Sequence, residues 1–259
     1  MEILVSTPGS PGTSFTDNVK DKIVCIFDVL ANKEDFDNVR TLGRELEKYD
    51  INWNYARNIL PFLQNCGFVK YQSNSAIVNK EFFTDLGYAF VDILKCIALC
   101  DGETTTEKID ILSSLREIEE IILFQGIVEL MKNQECNYSR DFFDVLSFVN
   151  LYGSIDSTEY LLIQYMRENE DGDYLVNMKN IVNDYRNHVI EISVRTKTKN
   201  GDSGEAKSVN SFPYVHGNFA KAGVFEKSAD NRFVIVERRR DEVKAALMEV
   251  GERWANSVK

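Results

Sequence analysis

The chain has 259 residues, 44% of them hydrophobic and 11% aromatic, enough apolar mass for two modest cores. No apolar run approaches the ~20 residues of a transmembrane helix, and the start, Met1-Glu2-Ile3-Leu4-Val5, lacks the basic flank of a signal peptide, so a cytoplasmic chain with no membrane partner is expected. The net charge of −11 argues against a nucleic-acid partner only as an average: residues 1–80 carry −1, residues 81–190 carry −13 and residues 191–259 carry +3.

Residues 1–16 read as an N-terminal arm. Within it, residues 6–14 (Ser-Thr-Pro-Gly-Ser-Pro-Gly-Thr-Ser) suit neither a helix nor a central strand. They form either a disordered tail or an arm that orders along a DNA groove, where the hydroxyls of Thr7, Ser10, Thr13 and Ser14 donate to phosphates or bases. From Thr16 the pattern turns helical, with Val19, Ile23, Ile26, Phe27 and Leu30 as the core face. A second helix fits residues 38–49, Asp50-Ile51-Asn52 is a turn, and Asn52 caps a third helix over residues 53–65 that contains Pro61.

That third helix ends in Ile59-x3-Leu63-x3-Gly67-Phe68-Val69, a pattern repeated 156 residues later as Val215-x3-Phe219-x3-Gly223-Val224-Phe225. Apolar residues four apart line one helix face, a glycine supplies the left-handed stop, and a short apolar strand follows. Each is then followed by a polar turn and a second strand, Ala76-Ile77-Val78 in the first and Phe233-Val234-Ile235-Val236 in the second. Residues 85–97 return to helix, closing a winged helix-turn-helix subdomain over residues 17–92. Residues 93–185 read almost wholly as helix, without strands, and form an acidic linker bundle. Residues 186–259 hold a second winged subdomain: a basic strand from Ile192 to Lys199, a recognition helix over 211–222, the ribbon, and a closing helix over 241–254. The fold class expected is mainly α with small β-wings (α+β), two winged-helix subdomains joined by a helical linker.

Catalytic parts are sparse. The two histidines, His188 and His216, are too few for a triad, and Cys96-x3-Cys100 reads as core rather than as half of a zinc site. The five cysteines as a set read as buried reduced thiols. A Mg²⁺-dependent nuclease wants Glu-x-Lys on an apolar strand. Glu205-Ala206-Lys207 falls in a predicted loop and Glu242-Val243-Lys244 in a predicted helix. No catalytic residue, metal site or cofactor is therefore assigned to this chain.

The candidate DNA surface is the outer side of the two reading helices. On the first, Asn52, Trp53, Asn54, Arg57 and Asn58 combine residue types that pair bidentately with adenine and guanine edges, against the alternative of an ordinary solvated face. On the second, Tyr214, His216, Asn218 and Lys221 are expected outward, with Lys207 and Ser208 before them and Arg195, Lys197 and Lys199 reaching the backbone. Arg238-Arg239-Arg240 grips phosphate or is simply solvated.

This layout resembles the DNA-recognition region of type IIS restriction endonucleases, the FokI-like and BpuJI-like group, in its winged subdomains, helical linker and N-terminal arm. The text is also similar at Leu123-Phe124-Gln125, at residues 157–162 (Ser-Thr-Glu-Tyr-Leu-Leu) and at residues 181–186 (Ile-Val-Asn-Asp-Tyr-Arg). The resemblance implies sequence-specific binding of double-stranded DNA at a short asymmetric site. It further implies a nuclease domain or subunit outside this chain, the only part for which Mg²⁺ is expected. A protein–protein adaptor or a transcription regulator is the alternative reading.

Overall fold

The computed structural model describes residues 1–6, 9–32, 35–71, 77–78, 80–100, 105–170, 172–197, 203–205 and 211–257. In chain order the elements are β1 (Glu2–Val5), α1 (Asp17–Asn32), β2 (Asp35–Phe36), α2 (Val39–Leu46), α3 (Trp53–Asn65), β3 (Ile77–Val78), α4 (Asp85–Cys100), α5 (Thr106–Lys132), α6 (Ser139–Tyr152) and β4 (Ser154–Ile155). They continue as α7 (Ser157–Asn169), α8 (Tyr174–Asn177), α9 (Lys179–Arg186), β5 (Ser193–Lys197), β6 (Ser203–Glu205), α10 (Ser211–Lys221), β7 (Phe225–Lys227), β8 (Phe233–Ile235) and α11 (Arg240–Ser257). Helix dominates and the sheets are small, as the sequence pattern led us to expect. Among the described residues no helix is long and apolar enough to cross a membrane.

The chain divides into two compact units. An N-terminal unit comprises Pro11–Cys136 and Gly217–Gly223; a C-terminal unit comprises Met1–Ser10, Asn137–His216 and Val224–Lys259. The stretch read from sequence as one linker, residues 93–185, is thus divided between them, and the boundary within α10 falls after His216.

In the N-terminal unit α1, α2, α3 and α4 surround a core of Ile23, Ile26, Leu42, Leu46, Ile59, Leu63, Phe68 and Phe90, all nearly or fully buried. Asn38 caps α2, its side chain accepting from Thr41 N at 3.0 Å, and Asn52 caps α3. Gly67, at φ 72°, releases the chain from α3 as the spacing requires. The strands that follow pair differently from the simple ribbon expected. Val69 bridges Phe83, with Lys70 N donating to Phe82 O at 2.7 Å, while Ile77–Val78 pairs antiparallel with Asp35–Phe36. The physical reason is aromatic burial: Phe82 and Phe83 are 3% and 4% exposed, and bridging Phe83 to Val69 keeps both rings out of water. The long α5 packs along α4 in the same unit.

The C-terminal unit runs helix (α6), strand (β4), helix (α7), then, after residues 170–210, helix (α10), two strands (β7, β8) and helix (α11). The other unit runs α1, β2, α2, α3, β3, α4, a similar order of helices without an insertion comparable to residues 170–210. The sheet of the C-terminal unit has the order β4-β8-β7, with Phe233 opposite both Ile155 and Lys227. Strand β4, two residues long, stands where no strand was expected, being too short to show a period of two. Residues 1–16 are likewise not a free arm throughout. β1 pairs parallel with β5 (Ile3 opposite Val194), β5 pairs antiparallel with β6, and Ile3 and Val5 are buried.

Buried charge holds the C-terminal unit together. Asp156 and Glu159 form a capping box at the start of α7. Glu159, fully buried, also receives Arg186 Nε at 2.7 Å and the Arg232 guanidinium, while Arg232 Nη1 reaches Asp156 at 2.7 Å. One turn of α6 supplies Asp141 and Asp144, which accept from Arg167 at 2.7 and 3.0 Å; Tyr174 donates its hydroxyl to Asp144 at 2.6 Å. Burial raises all three carboxyls, the arginines opposing it. All five cysteines are free thiols, but only Cys66 and Cys136 are buried: Cys96, expected in a core, is exposed beyond Leu94, the last buried residue of α4.

Candidate nucleic-acid interface

On α3, one face (Ala56, Ile59, Leu60, Leu63) is sealed in the core, and the opposite face at the helix start carries Asn54, Arg57 and Asn58, all exposed. Positions 54, 57 and 58 lie three and four apart, so their side chains leave the helix as one cluster. Arg57 acts electrostatically on the half-buried Tyr71: burial raises that phenol and the Arg57 charge opposes the rise. Helix α2 adds Arg40 and Arg44, exposed and one turn apart, which the sequence reading missed. Neither they nor Arg57 forms an ion pair with another described residue. The signal was present as an i, i+4 arginine pair on the solvent side of an amphipathic helix.

Two residues expected in this cluster have other duties. The Asn52 side chain accepts from Asn54 N at 2.8 Å, satisfying an orphan amide of the helix end. The Trp53 ring lies half-buried against Gly43, where any Cβ would collide with it. This tryptophan is the wedge between α2 and α3, not a groove-facing aromatic.

The reading face expected on α10 is largely absent. Asn218 is fully buried: its Oδ1 accepts from Phe15 N at 3.0 Å and its Nδ2 donates to Thr13 O at 3.3 Å. Thr13 is itself buried, so neither residue is available to DNA. His216 is half-buried, stacked on Phe233 at 3.9 Å and edge-on to Phe212, with Nδ1 buried and unpartnered. Burial, reinforced by the Lys227 charge, lowers its pKa to about 4, so it is a neutral core imidazole at physiological pH. Tyr214 is half-buried, and Lys221 is exposed, 3.5 Å from Asp17.

Among the remaining candidates, Ser10 is exposed and Ser14 half-buried. Arg195 is exposed on β5 and pairs with Glu2 at 2.9 Å. Thr7, Lys199, Lys207, Ser208 and the Lys197 side chain lie outside the described residues. Of the arginine run, Arg239 is buried and bonded to Glu242, while Arg238 and Arg240 are exposed and Arg240 pairs with Glu237. The two Glu-x-Lys triplets differ from expectation in one respect: Glu205 ends strand β6 rather than lying in a loop, whereas Glu242, Val243 and Lys244 are helical in α11. Comparison with protein-family models, with curated proteins and with solved structures gives no match.

Proposed function

We propose that each unit carries a winged helix-turn-helix and that the chain is a sequence-specific double-stranded DNA-binding protein, the target-recognition part of a type IIS-like restriction endonuclease. The single observation that supports this reading best is the cluster Asn54, Arg57 and Asn58 on the exposed start of α3, flanked by the exposed arginines of α2, which pair with no described residue. A guanidinium and two amides on one helix face are donors and acceptors suited to base edges in a major groove, and Arg40 and Arg44 suit phosphates. Arg195 and Arg238 of the C-terminal unit and Lys221 of α10 contribute backbone contacts, in place of base contacts from His216 and Asn218. Cleavage is assigned to a separate nuclease domain or subunit, the only place where Mg²⁺ is needed.

Selection of bound duplexes from a random pool, read by sequencing, tests the reading. An asymmetric enriched motif supports it, a palindrome supports a transcription regulator, and no enrichment by the folded chain supports an adaptor. Arg57→Ala should then lose discrimination at one base pair, by about 1–3 kcal/mol. Arg44→Ala should weaken all duplexes alike and flatten the salt dependence. Equal loss on selected and random DNA for Arg57→Ala would remove Arg57 from base reading.

A further inference from the structure

Helix α5 turns Glu119, Ile122 and Leu123 into the core of its unit, yet leaves Ile111, Ile118 and Ile121 at 52%, 43% and 42% exposure. These three, with Ser114 between and Gln125 beyond, fall at positions 111, 114, 118, 121 and 125. The alternation of three and four is the a/d seam of a heptad, about 15 Å long from Ile111 to Ile121. β-branched residues at successive seam positions are what a second helix packs against, and large aliphatic side chains aligned this way are unusual on a solvated face. The residue before each a-position isoleucine is acidic and exposed, Asp110 and Glu117, so one border of the seam is negative. The other border, Leu115 and Ile122, turns inward, half-buried and buried.

We propose that this seam docks one amphipathic helix of a partner protein, apolar at its own a and d positions and lysine- or arginine-flanked on the side that meets Asp110 and Glu117. Charge excludes a second copy of the chain. An antiparallel pair would set Asp110 and Glu117 against the same two carboxylates, and a parallel pair would need Leu115 and Ile122 at its border, which are already turned inward. The inference stands apart from DNA recognition, since it uses none of the residues assigned to that surface.

The test uses the full chain and two labelled synthetic helices of about three heptads, leucine at a and d, flanked by lysine in one and by glutamate in the other. The lysine-flanked helix should bind more tightly by roughly tenfold or more at low salt, with the preference shrinking as salt rises. Ile118→Asn should abolish binding with the melting temperature unchanged, because that side chain is exposed. The double variant Asp110→Lys with Glu117→Lys should reverse the preference, and a selected duplex should bind all variants equally. Equal binding of both helices, binding of neither, or a dimer in sedimentation velocity that Ile118→Asn dissociates would each overturn the proposal.

Discussion

The helices α3 and α10 carry the same helix-glycine-strand pattern, end on glycines at φ 72° and 63°, and differ in what their outer sides expose. α3 exposes Asn54, Arg57 and Asn58, whereas α10 buries Asn218 and half-buries His216. In the C-terminal unit its N-terminal half packs Phe212 against Tyr160 and Phe233, and in the N-terminal unit its C-terminal half holds Thr13 and Phe15 through Asn218. A shared helix-glycine-strand pattern thus dictates the inner face and the stop, while the outer face depends on what else in the chain settles against it.

The comparison can be broken where it is most heavily loaded. Glu159→Ala leaves the Arg186 and Arg232 guanidiniums without their buried carboxylate and should destabilise the C-terminal unit by about 3–5 kcal/mol in urea unfolding; a loss below about 1 kcal/mol would show that the α7–β8 anchor is unimportant. Asn218→Ala strands Phe15 N and Thr13 O and should cost about 2–3 kcal/mol of stability. Its effect on DNA affinity at a temperature where both forms are folded should be small; a base-specific loss with intact stability would restore α10 as a reading helix.

His216 sharpens the contrast through pH. Its folded pKa, about 4, lies below the ordinary 6.5, so the stability tied to the neutral ring is complete above about pH 6.5 and is lost as pH falls toward 4. The difference in stability between the native chain and His216→Gln should shrink over that window by on the order of 2 kcal/mol, the partial exposure of the ring having been discounted. A constant difference would mean that the ring titrates freely. Smallest of all, Asn58→Ala on α3 should alter stability by less than about 0.5 kcal/mol while weakening the selected duplex.

What the sequence made legible follows from these differences. The buried faces Ile59, Leu63 and Val215, Phe219, with their glycine stops, were readable because apolar spacing and positive φ are local properties. The reach of the C-terminal unit back to Asn137 was not, because residues 170–210 separate α7 from α10 and β4 is only two residues long. The fates of Asn218 and Thr13 were also hidden. Their partnership spans 205 positions, and an asparagine on a helix looks the same whether it meets solvent or a distant carbonyl.

The pairing of Glu2–Val5 with Ser193–Thr196 has a consequence for biosynthesis. The first strand leaves the ribosome about 190 residues before its parallel partner exists, an interval of roughly 10–40 s at ordinary translation speeds. Thr13 and Phe15 wait longer still, for Asn218. During that interval Ile3 and Val5 lack the cover of β5, whereas Phe15 meets Phe62, Phe68 and Phe90 far sooner, so β1 is the segment that a ribosome-associated chaperone would shield longest.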